Sequence, residues 1–444
     1  MIAVGWPLKT VAIRVGEMIL LDKIKKSSLV SGAGTYLAAS LINAAIPFLM
    51  LPILTRYLAP SEYGEVAVFQ VWVALLTALC ALGAHGAATR KYYDYDNPDI
   101  EMGPFITSCI LIGGASSAVL LFILLLASEW LSDNIGLSVT WLFFGVPFAF
   151  SAFIMQLRLR QWQVRQKPVS YGALQISKSM ADMLLSILLV VLLGLGATGR
   201  ITGSTTAVML CGLLSAFLLL KDGLIKKTWR PDLIKEALRF GVPLTPHVIG
   251  AFLLLVVDRA IVSSQLGLDA AGYYMVAAQF AMIMNILLES LNRAYTPWLF
   301  SRLKSGEKKE KIFIVKLTYA YYGFLVLCVV LAFMVADKVL IFVAGEAYAE
   351  ASHIVAWLVL AQALRGMYFM LTGFIIFSKR TGTLAKITIF CGLTNVVLMV
   401  LMIDFFGLKG AAWAACISML LQWALTWMAS ARLIPMPWFG SANG

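Results

Sequence analysis

Long apolar segments alternate with short polar connections along nearly the whole chain. Each segment holds roughly 20 residues or more, the length at which a helix crosses the ~30 Å hydrocarbon core of a membrane. The connections are too short to form a water-soluble domain of useful size. The pattern predicts twelve transmembrane helices, at residues 29–56, 64–89, 104–127, 135–156, 170–195, 202–220, 241–266, 272–299, 312–335, 352–377, 384–404 and 408–431.

A weak internal repeat divides these spans into two sets of six. A displacement of 208 residues aligns YLAPSEYGEVAV (57–68) with QLGLDAAGYYMV (265–276) and places the first span on the seventh. Two sets of six spans have the same orientation, so a pseudo-two-fold axis would run along the membrane normal, with a site between the halves. The aligned positions are Leu58 with Leu266, Gly64 with Gly272, Thr77 with Asn285, His85 with Arg293, and Lys178 with Lys386.

The repeat also sets the expected fold class and domain boundaries. We expect an all-α integral membrane protein built from two pseudo-symmetric six-helix bundles with a cavity between them. The expected parts are a cytoplasmic segment at 1–28, a first bundle at 29–220, a cytoplasmic linker at 221–240, a second bundle at 241–431 and a cytoplasmic tail at 432–444.

Composition and charge support this reading and indicate the topology. Hydrophobic residues make up 61% of the chain and charged residues 13%, unlike an ordinary soluble domain. The net charge of +12 comes from Lys and Arg scattered over short connections, which does not favour nucleic-acid binding. With the N-terminus inside, cytoplasmic connections hold 26 of the 35 basic residues and outer ones hold 4, so both termini are expected in the cytoplasm.

Lys9 and Arg14 interrupt any signal-peptide core, and translation can begin at Met1 or Met18.

Several kinds of chemistry have no support in the sequence. The six cysteines lie in apolar segments without a CxxC pair, and the three histidines lie on different segments. Neither a disulfide framework nor a metal site is therefore expected. No GxxxxGKS or GxxxxGKT motif is present, so direct use of ATP is not expected. No cofactor is expected beyond a coupling H⁺ or Na⁺ ion.

Polar residues form a stripe on the eighth predicted span. Asn285, Glu289, Asn292 and Thr296 follow spacings of four, three and four, which places them on one helical face. A charged group near the bilayer centre costs roughly 2.5–3.5 kcal/mol, so such groups rarely face lipid. The stripe therefore predicts a polar cavity. Arg293 follows Glu289 by four residues, and it can pair with that carboxylate or extend to the cytoplasmic surface.

Other charges lie inside predicted spans. Asp258 and Arg259 are adjacent, so their side chains should point about 100° apart, and we expect no simple bridge between them. Arg365 has no acidic residue three or four positions away and needs a partner on another helix or a ligand. Asp182 can pair with Lys178 at i, i+4, so both a structural role and a role in ion coupling remain open. His85, which aligns with Arg293 in the repeat, is an additional candidate.

Several segments resemble a known family. They are LTRYLAPSEYG (54–64), GAHGAATRKY (83–92), FGVPLTPH (240–247), the DR pair followed by LGLDAAGYYMVA and TPWLF, GEAYAEASHIVAWL, and the FSKRTG turn. Together they resemble the polysaccharide transporters of the multidrug/oligosaccharidyl-lipid/polysaccharide flippase superfamily, with the closest match to flippases of O-antigen and capsule repeat units. The resemblance covers roughly residues 28–431.

The resemblance implies a fold and a transport reaction. Two six-helix bundles would form a V-shaped cavity and move an undecaprenyl-pyrophosphate-linked oligosaccharide repeat unit from the cytoplasmic to the periplasmic leaflet of the bacterial inner membrane. Membrane lipids, a polysaccharide polymerase and a chain-length regulator are the other partners it implies. The expected roles are pyrophosphate contacts by Arg259, Arg293 and Arg365, sugar contacts by Asn285 and Asn292, a further substrate contact by His85, and ion coupling by Asp258, Glu289 or Asp182.

Three alternatives remain at this point. A cation-coupled multidrug exporter of the same superfamily would favour acidic cavity residues, whereas Arg259 and Arg293 accompany the acids here. A peptidoglycan-precursor flippase would be expected to carry two further helices. A membrane-bound polymerase or ligase would be expected to carry a large periplasmic loop, and no predicted outer loop exceeds about twenty residues. A non-enzymatic flippase is therefore the favoured interpretation.

Overall fold

The computed structural model describes residues 28–94 and 98–438, and nearly all of them are helical. The expected segment at 1–28, with Met18, lies outside this part apart from Ser28, as do residues 439–444 of the expected tail. The first seven helices are α1 (Ser28–Tyr57), α2 (Pro60–Ala81), α3 (Ala84–Lys91), α4 (Pro98–Ile135), α5 (Val139–Val164), α6 (Pro168–Ile187) and α7 (Gly196–Lys221).

The remaining chain forms another seven helices. A short π-helical turn at Leu188–Leu192 extends α6, and 3₁₀ turns lie at Tyr92–Asp94, Val242–Leu244 and Glu346–Tyr348. The second set is α8 (Pro231–Gly241), α9 (Thr245–Leu255), α10 (Asp258–Leu266), α11 (Leu268–Ser305), α12 (Lys308–Ala344), α13 (Ala349–Phe377) and α14 (Thr381–Leu433).

Ten helical segments within the described residues are long and apolar enough to cross a membrane. This finding confirms a multi-pass, nearly all-helical membrane protein, while the number of twelve spans stays a prediction. Two features explain why ten such segments are found where the sequence predicts twelve spans. The first predicted span coincides with α1, of which the part Ala45–Tyr57 is apolar but shorter than these segments, and the last two predicted spans fall within α14.

The helix α14 changes direction at Gly407. A straight helix of its 53 residues would be about 80 Å long, far more than the membrane thickness. Gly407 has φ 57° and ψ −139°, which is not helical. A Cβ atom on Gly410 would lie only 2.0 Å from the carbonyl oxygen of Met402, so the chain folds back there. The predicted spans 384–404 and 408–431 lie on either side of this turn.

Two predicted spans are interrupted where the hydropathy pattern is continuous. Leu82 and Gly83, with φ of 42° and 71°, end α2 within the span expected at 64–89. The break lets Gly83 approach Gly241, because an added Cβ would lie 2.6 Å from the Gly241 carbonyl oxygen. The span expected at 241–266 breaks at Val256, whose φ of −130° separates α9 from α10. Hydropathy does not report either break because the residues around them stay apolar.

The two halves of the chain touch through α2 and α11. A Cβ atom on Gly64 would lie 1.8 Å from the carbonyl oxygen of Leu268, and one on Gly272 would lie 2.0 Å from that of Pro60. Only glycine allows backbones to approach this closely. Position 268 is 208 residues after position 60, and 272 is 208 after 64. The contact is therefore the arrangement expected where a two-fold axis relates the repeats.

Aromatic and polar groups surround the close approach of α2 and α11 at Gly64 and Gly272, which we call the glycine crossing. The Tyr63 hydroxyl donates to Oε1 of Gln279 at 3.0 Å, and the Tyr348 hydroxyl donates to the Leu58 carbonyl at 2.9 Å. The rings of Tyr63 and Tyr273 each pack edge-on against Tyr348, with centroids 5.9 and 6.2 Å apart. We call Leu58, Pro60, Tyr63, Gly64, Leu268, Gly272, Tyr273, Gln279 and Tyr348 the closure cluster. The charge pattern of the sequence predicts that this end of the molecule lies on the outer side.

A side chain at the glycine crossing should open the closure cluster. We expect Gly272→Leu to separate α2 from α11, because its Cβ alone would overlap the Pro60 carbonyl. A cysteine placed at Gln279 should then react several-fold faster with a membrane-impermeant maleimide added from outside. Gly323→Leu is the matched control, since a Cβ at that membrane-helix glycine meets nothing within 4 Å. Unchanged labelling at a normal protein level would contradict the closure.

Candidate functional site

Three charged side chains meet between α11 and α13. Nη2 of Arg293 lies 3.6 Å from Oε2 of Glu289, and Nη2 of Arg365 lies 3.9 Å from Oε1 of the same carboxylate. Arg365 is 18% exposed, whereas the side chains of Glu289 and Arg293 are 41% and 59% exposed. Two guanidinium groups share one carboxylate, so the cluster carries one excess positive charge. We call these residues the Glu289 cluster.

Polar and aromatic groups extend the Glu289 cluster. Arg365 lies over the ring of Phe369, with 5.3 Å between the guanidinium carbon and the centroid. Asn285, one turn before Glu289, is 5% exposed, and its Oδ1 atom has no hydrogen-bond partner. Asn292 accepts the Thr296 hydroxyl through its backbone carbonyl at 2.9 Å. The four residues of the predicted polar stripe lie on α11, with Asn285 more buried than the others, and the polar cavity stays a prediction.

Asp258 and Arg259 form the first turn of α10, directly after the break at Val256. Nη1 of Arg259 lies 3.7 Å from Oδ1 of Asp258, and the Arg259 backbone N–H donates to that oxygen at 2.9 Å. The expectation that these neighbours form no bridge was wrong. The Asp258 carboxylate thus accepts the Arg259 backbone N–H and pairs with the guanidinium of the same residue at the helix start, and Tyr274 lies beside it.

The structure does not bring Arg259 to the Glu289 cluster. Asp258 contacts Tyr274, which lies fifteen residues before Glu289 on α11. At 1.5 Å per residue these levels are about 22 Å apart along the helix axis. Arg259 and Arg293 therefore cannot contact the same pyrophosphate in this conformation, although the sequence interpretation gave both that role.

Asp182 lies in a separate buried network. Its carboxylate accepts Nη1 of Arg200 at 2.5 Å and lies 3.7 Å from Nζ of Lys178. Arg200 also donates to the Ser186 hydroxyl at 2.8 Å. Sequence reasoning placed Arg200 in an outer loop, but it lies within α7 and is only 9% exposed. Its pairing with Asp182 joins α6 to α7 and has no signal in the local sequence.

His85 lies in the short helix α3 rather than in a continuous second span. Its Nδ1 atom is buried without a hydrogen-bond partner, and the charge of Arg160 on α5 acts on the ring. No contact joins His85 to the Glu289 cluster. Its alignment with Arg293 in the repeat places the two residues in corresponding positions of the two halves, not in one ligand shell.

The family description "Polysaccharide biosynthesis protein" matches residues 29–304. The chain belongs to the polysaccharide biosynthesis protein family. The match covers α1 to α11 and includes both glycines of the closure cluster as well as Glu289 and Arg293. Membership of this family confirms the resemblance to polysaccharide transporters that the sequence motifs indicated.

One relative and two solved structures extend this family assignment. Protein 1 of the Lsg locus of Haemophilus influenzae is 22% identical over 376 residues, covering 82% of this chain and 89% of the relative. The lipid II flippase MurJ in an inward closed conformation matches with a TM-score of 0.71 at 15% identity, over 89% of this chain and 87% of MurJ. An inward-facing multidrug resistance MATE transporter of the MOP superfamily matches with a TM-score of 0.68 at 13% identity, over 88% and 98%. This polysaccharide biosynthesis family member therefore has the fold of MOP-superfamily transporters.

Removing the Asp182 carboxylate should destabilise the protein. In Asp182→Asn the charge of Arg200 would stay buried without its partner, and breaking such a pair typically costs about 3–5 kcal/mol. We expect a clear drop in the unfolding temperature of the purified protein in detergent. Lys178→Gln is the control with a small effect, because its contact with Asp182 is long and partly exposed. Normal stability of Asp182→Asn with loss of transport would instead indicate ion coupling.

Proposed function

We propose that this protein is a flippase for undecaprenyl-pyrophosphate-linked oligosaccharide repeat units in O-antigen, capsule or exopolysaccharide synthesis. It moves them by alternating access from the cytoplasmic to the periplasmic leaflet of the bacterial inner membrane. The family description supports polysaccharide synthesis as the context, and the shared fold of MurJ and a multidrug transporter supports a transporter over a polymerase or ligase. A polymerase and a chain-length regulator are its proposed protein partners.

The observation that carries this proposal is the excess positive charge of the Glu289 cluster. Charge-assisted contacts between arginine and an oxyanion are typically 2.7–2.9 Å long. Both arginine contacts to Glu289 are longer, at 3.6 and 3.9 Å. Neither guanidinium therefore makes a short hydrogen bond to this carboxylate, and N–H donors of both can bind a ligand. A diphosphate entering beside Arg293 and Arg365 would gain direct contacts to both. Asn285 and Asn292, on the same helix, would contact sugar hydroxyls.

The closure cluster supports an inward-open resting state in this proposal. The halves are joined at the end that the charge pattern assigns to the outside, through α2, α11 and Tyr348. The proposed bundles, residues 29–220 and 241–431 with six spans each, would diverge from there into a V-shaped cavity open to the cytoplasm, with Gly241 at the start of the second bundle still packed against Gly83 of the first. The linker at 221–240 and both termini would then lie in the cytoplasm.

The membrane potential would favour export of this substrate, because the substrate is an anion. Moving an anion outward from a negative cytoplasm gains roughly 2.3 kcal/mol per charge per 100 mV. If H⁺ or Na⁺ is also used, Glu289 is the best placed of the acidic candidates. Its side chain is 41% exposed and its two arginine contacts are long, whereas Asp258 and Asp182 are 14% and 13% exposed and accept hydrogen bonds of 2.9 and 2.5 Å.

Removing the Arg365 charge should stop export without unfolding the protein. Arg365→Gln keeps a similar shape, and a hydrogen bond to a charged group contributes about 1.5–3 kcal/mol. We expect at least a tenfold loss of surface polysaccharide in a complemented deletion strain. Lipid-linked repeat units should accumulate on the cytoplasmic side at a normal protein level.

Arg302→Gln is the matched control for this experiment. Arg302 lies on α11 and pairs with Glu310 outside the Glu289 cluster, so its loss should leave export close to normal. Normal polymer in Arg365→Gln would remove the pyrophosphate assignment. Normal polymer in the deletion strain itself, together with raised sensitivity to cationic drugs, would replace the flippase with a multidrug exporter.

A further inference from the structure

An apolar groove runs along the lipid-facing side of α4, far from the Glu289 cluster. Its first part has a volume of about 590 Å³ and is lined by Leu82, Ile110, Leu111, Phe150 and, from the linker region, Trp229 and Leu238. Trp229 is 71% exposed. An exposed tryptophan beside a membrane helix is typical of the interface between lipid headgroups and hydrocarbon.

The groove continues toward the membrane centre. Gly114 and Phe150 border both the first part and a second apolar part of about 570 Å³, which extends to Leu121 and Phe144. A Cβ on Gly114 would meet nothing within 4 Å, so the floor of the groove is open. From Leu111 to Leu121 the groove is about 15 Å long, which is one leaflet of a ~30 Å hydrocarbon core.

Cations lie at the cytoplasmic mouth of this groove. Lys235 and Arg239 on α8 line a neighbouring pocket together with Trp229 and Leu238. Both basic side chains are exposed, and no carboxylate pairs with either in the described part of the chain. The acidic residues of α8 are already neutralised, because Glu236 pairs with Lys91 at 2.6 Å and Asp232 pairs with Arg230 at 2.7 Å.

We propose that this groove binds an anionic phospholipid of the cytoplasmic leaflet, with an acyl chain along α4 and the phosphate at Lys235 and Arg239. The positive charge at the mouth of the groove complements a phosphate, and the length of the groove is that of one acyl chain in one leaflet. The much longer undecaprenyl chain would not fit a groove of 15 Å. The bound lipid would fasten α8, the helix that connects the two halves, to the membrane surface.

Lipid-dependent stability of the purified full-length protein tests this site without any transport assay. Delipidated protein in detergent is heated with phosphatidylglycerol, with phosphatidylcholine or with undecaprenyl phosphate. We expect phosphatidylglycerol to raise the unfolding temperature most. Gly114→Trp, which fills the groove, and the double variant Lys235→Gln/Arg239→Gln, which removes the mouth charges, should each lose at least half of that shift.

Matched controls separate this site from general effects. Gly323→Trp places the same ring at another open glycine of a membrane helix, and Lys304→Gln/Lys309→Gln removes two other exposed cytoplasmic cations. Both should keep the full shift. Gly114→Leu replaces the Trp variant if the latter does not fold.

Three outcomes would overturn the proposal. The first is a full phosphatidylglycerol shift in both groove variants. The second is an equal loss in the controls, which would show that any surface cation suffices. The third is a larger, Gly114-dependent shift with undecaprenyl phosphate, which would make the groove a site for the substrate's lipid. None of these results depends on whether the flippase proposal holds.

Discussion

The close approach of α2 and α11 at Gly64 and Gly272 is the contact on which the arrangement of the two halves depends. Because neither residue has a Cβ, each backbone reaches the carbonyl of the other helix, and no other residue fits there. The hydrogen bonds of Tyr63 and Tyr348 then form around a fixed crossing. Glu289 lies seventeen residues farther along α11, about 25 Å from the crossing. A rigid helix thus connects the closure to the charged cluster, so a tilt that separates the glycines would also move Glu289 and Arg293 relative to the first half.

The three charged networks differ in how far the protein itself satisfies them. Asp182 is held by Arg200 at hydrogen-bond distance in a buried setting, and Asp258 accepts the backbone N–H of Arg259 and pairs with its guanidinium. Such arrangements offset the cost of placing ions inside a membrane protein. The Glu289 cluster is different, because its ion pairs are long and its carboxylate is partly exposed. It is the network with most to gain from an anionic ligand.

Much of the fold could be predicted from local pattern, but the partners of buried charges could not. Hydropathy located the helices, and the 208-residue repeat paired Gly64 with Gly272 before their contact was known. Arg365, in contrast, meets Glu289 from 76 residues away, and nothing in the sequence near Arg365 indicates that carboxylate. Arg200 was counted in an outer loop because it lies between the spans predicted at 170–195 and 202–220, whereas it lies inside a helix and pairs with buried Asp182. Side-chain pairs between helices depend on tertiary packing, which periodicity does not report.

The motifs that identify the family converge on the closure cluster rather than on the charged cluster. LTRYLAPSEYG supplies Gly64, LGLDAAGYYMVA supplies Gly272, and GEAYAEASHIVAWL supplies Tyr348. The residues that make the resemblance specific thus hold the halves together at one end. The same fold occurs in a lipid II flippase and a multidrug transporter at only 15% and 13% identity. The closure depends on backbone geometry, whereas recognition of a transported molecule depends on a few side chains elsewhere. Arg365, to which the proposed flippase function gives that role, lies on α13 outside the closure cluster, so the substrate contact can change while the closure is kept.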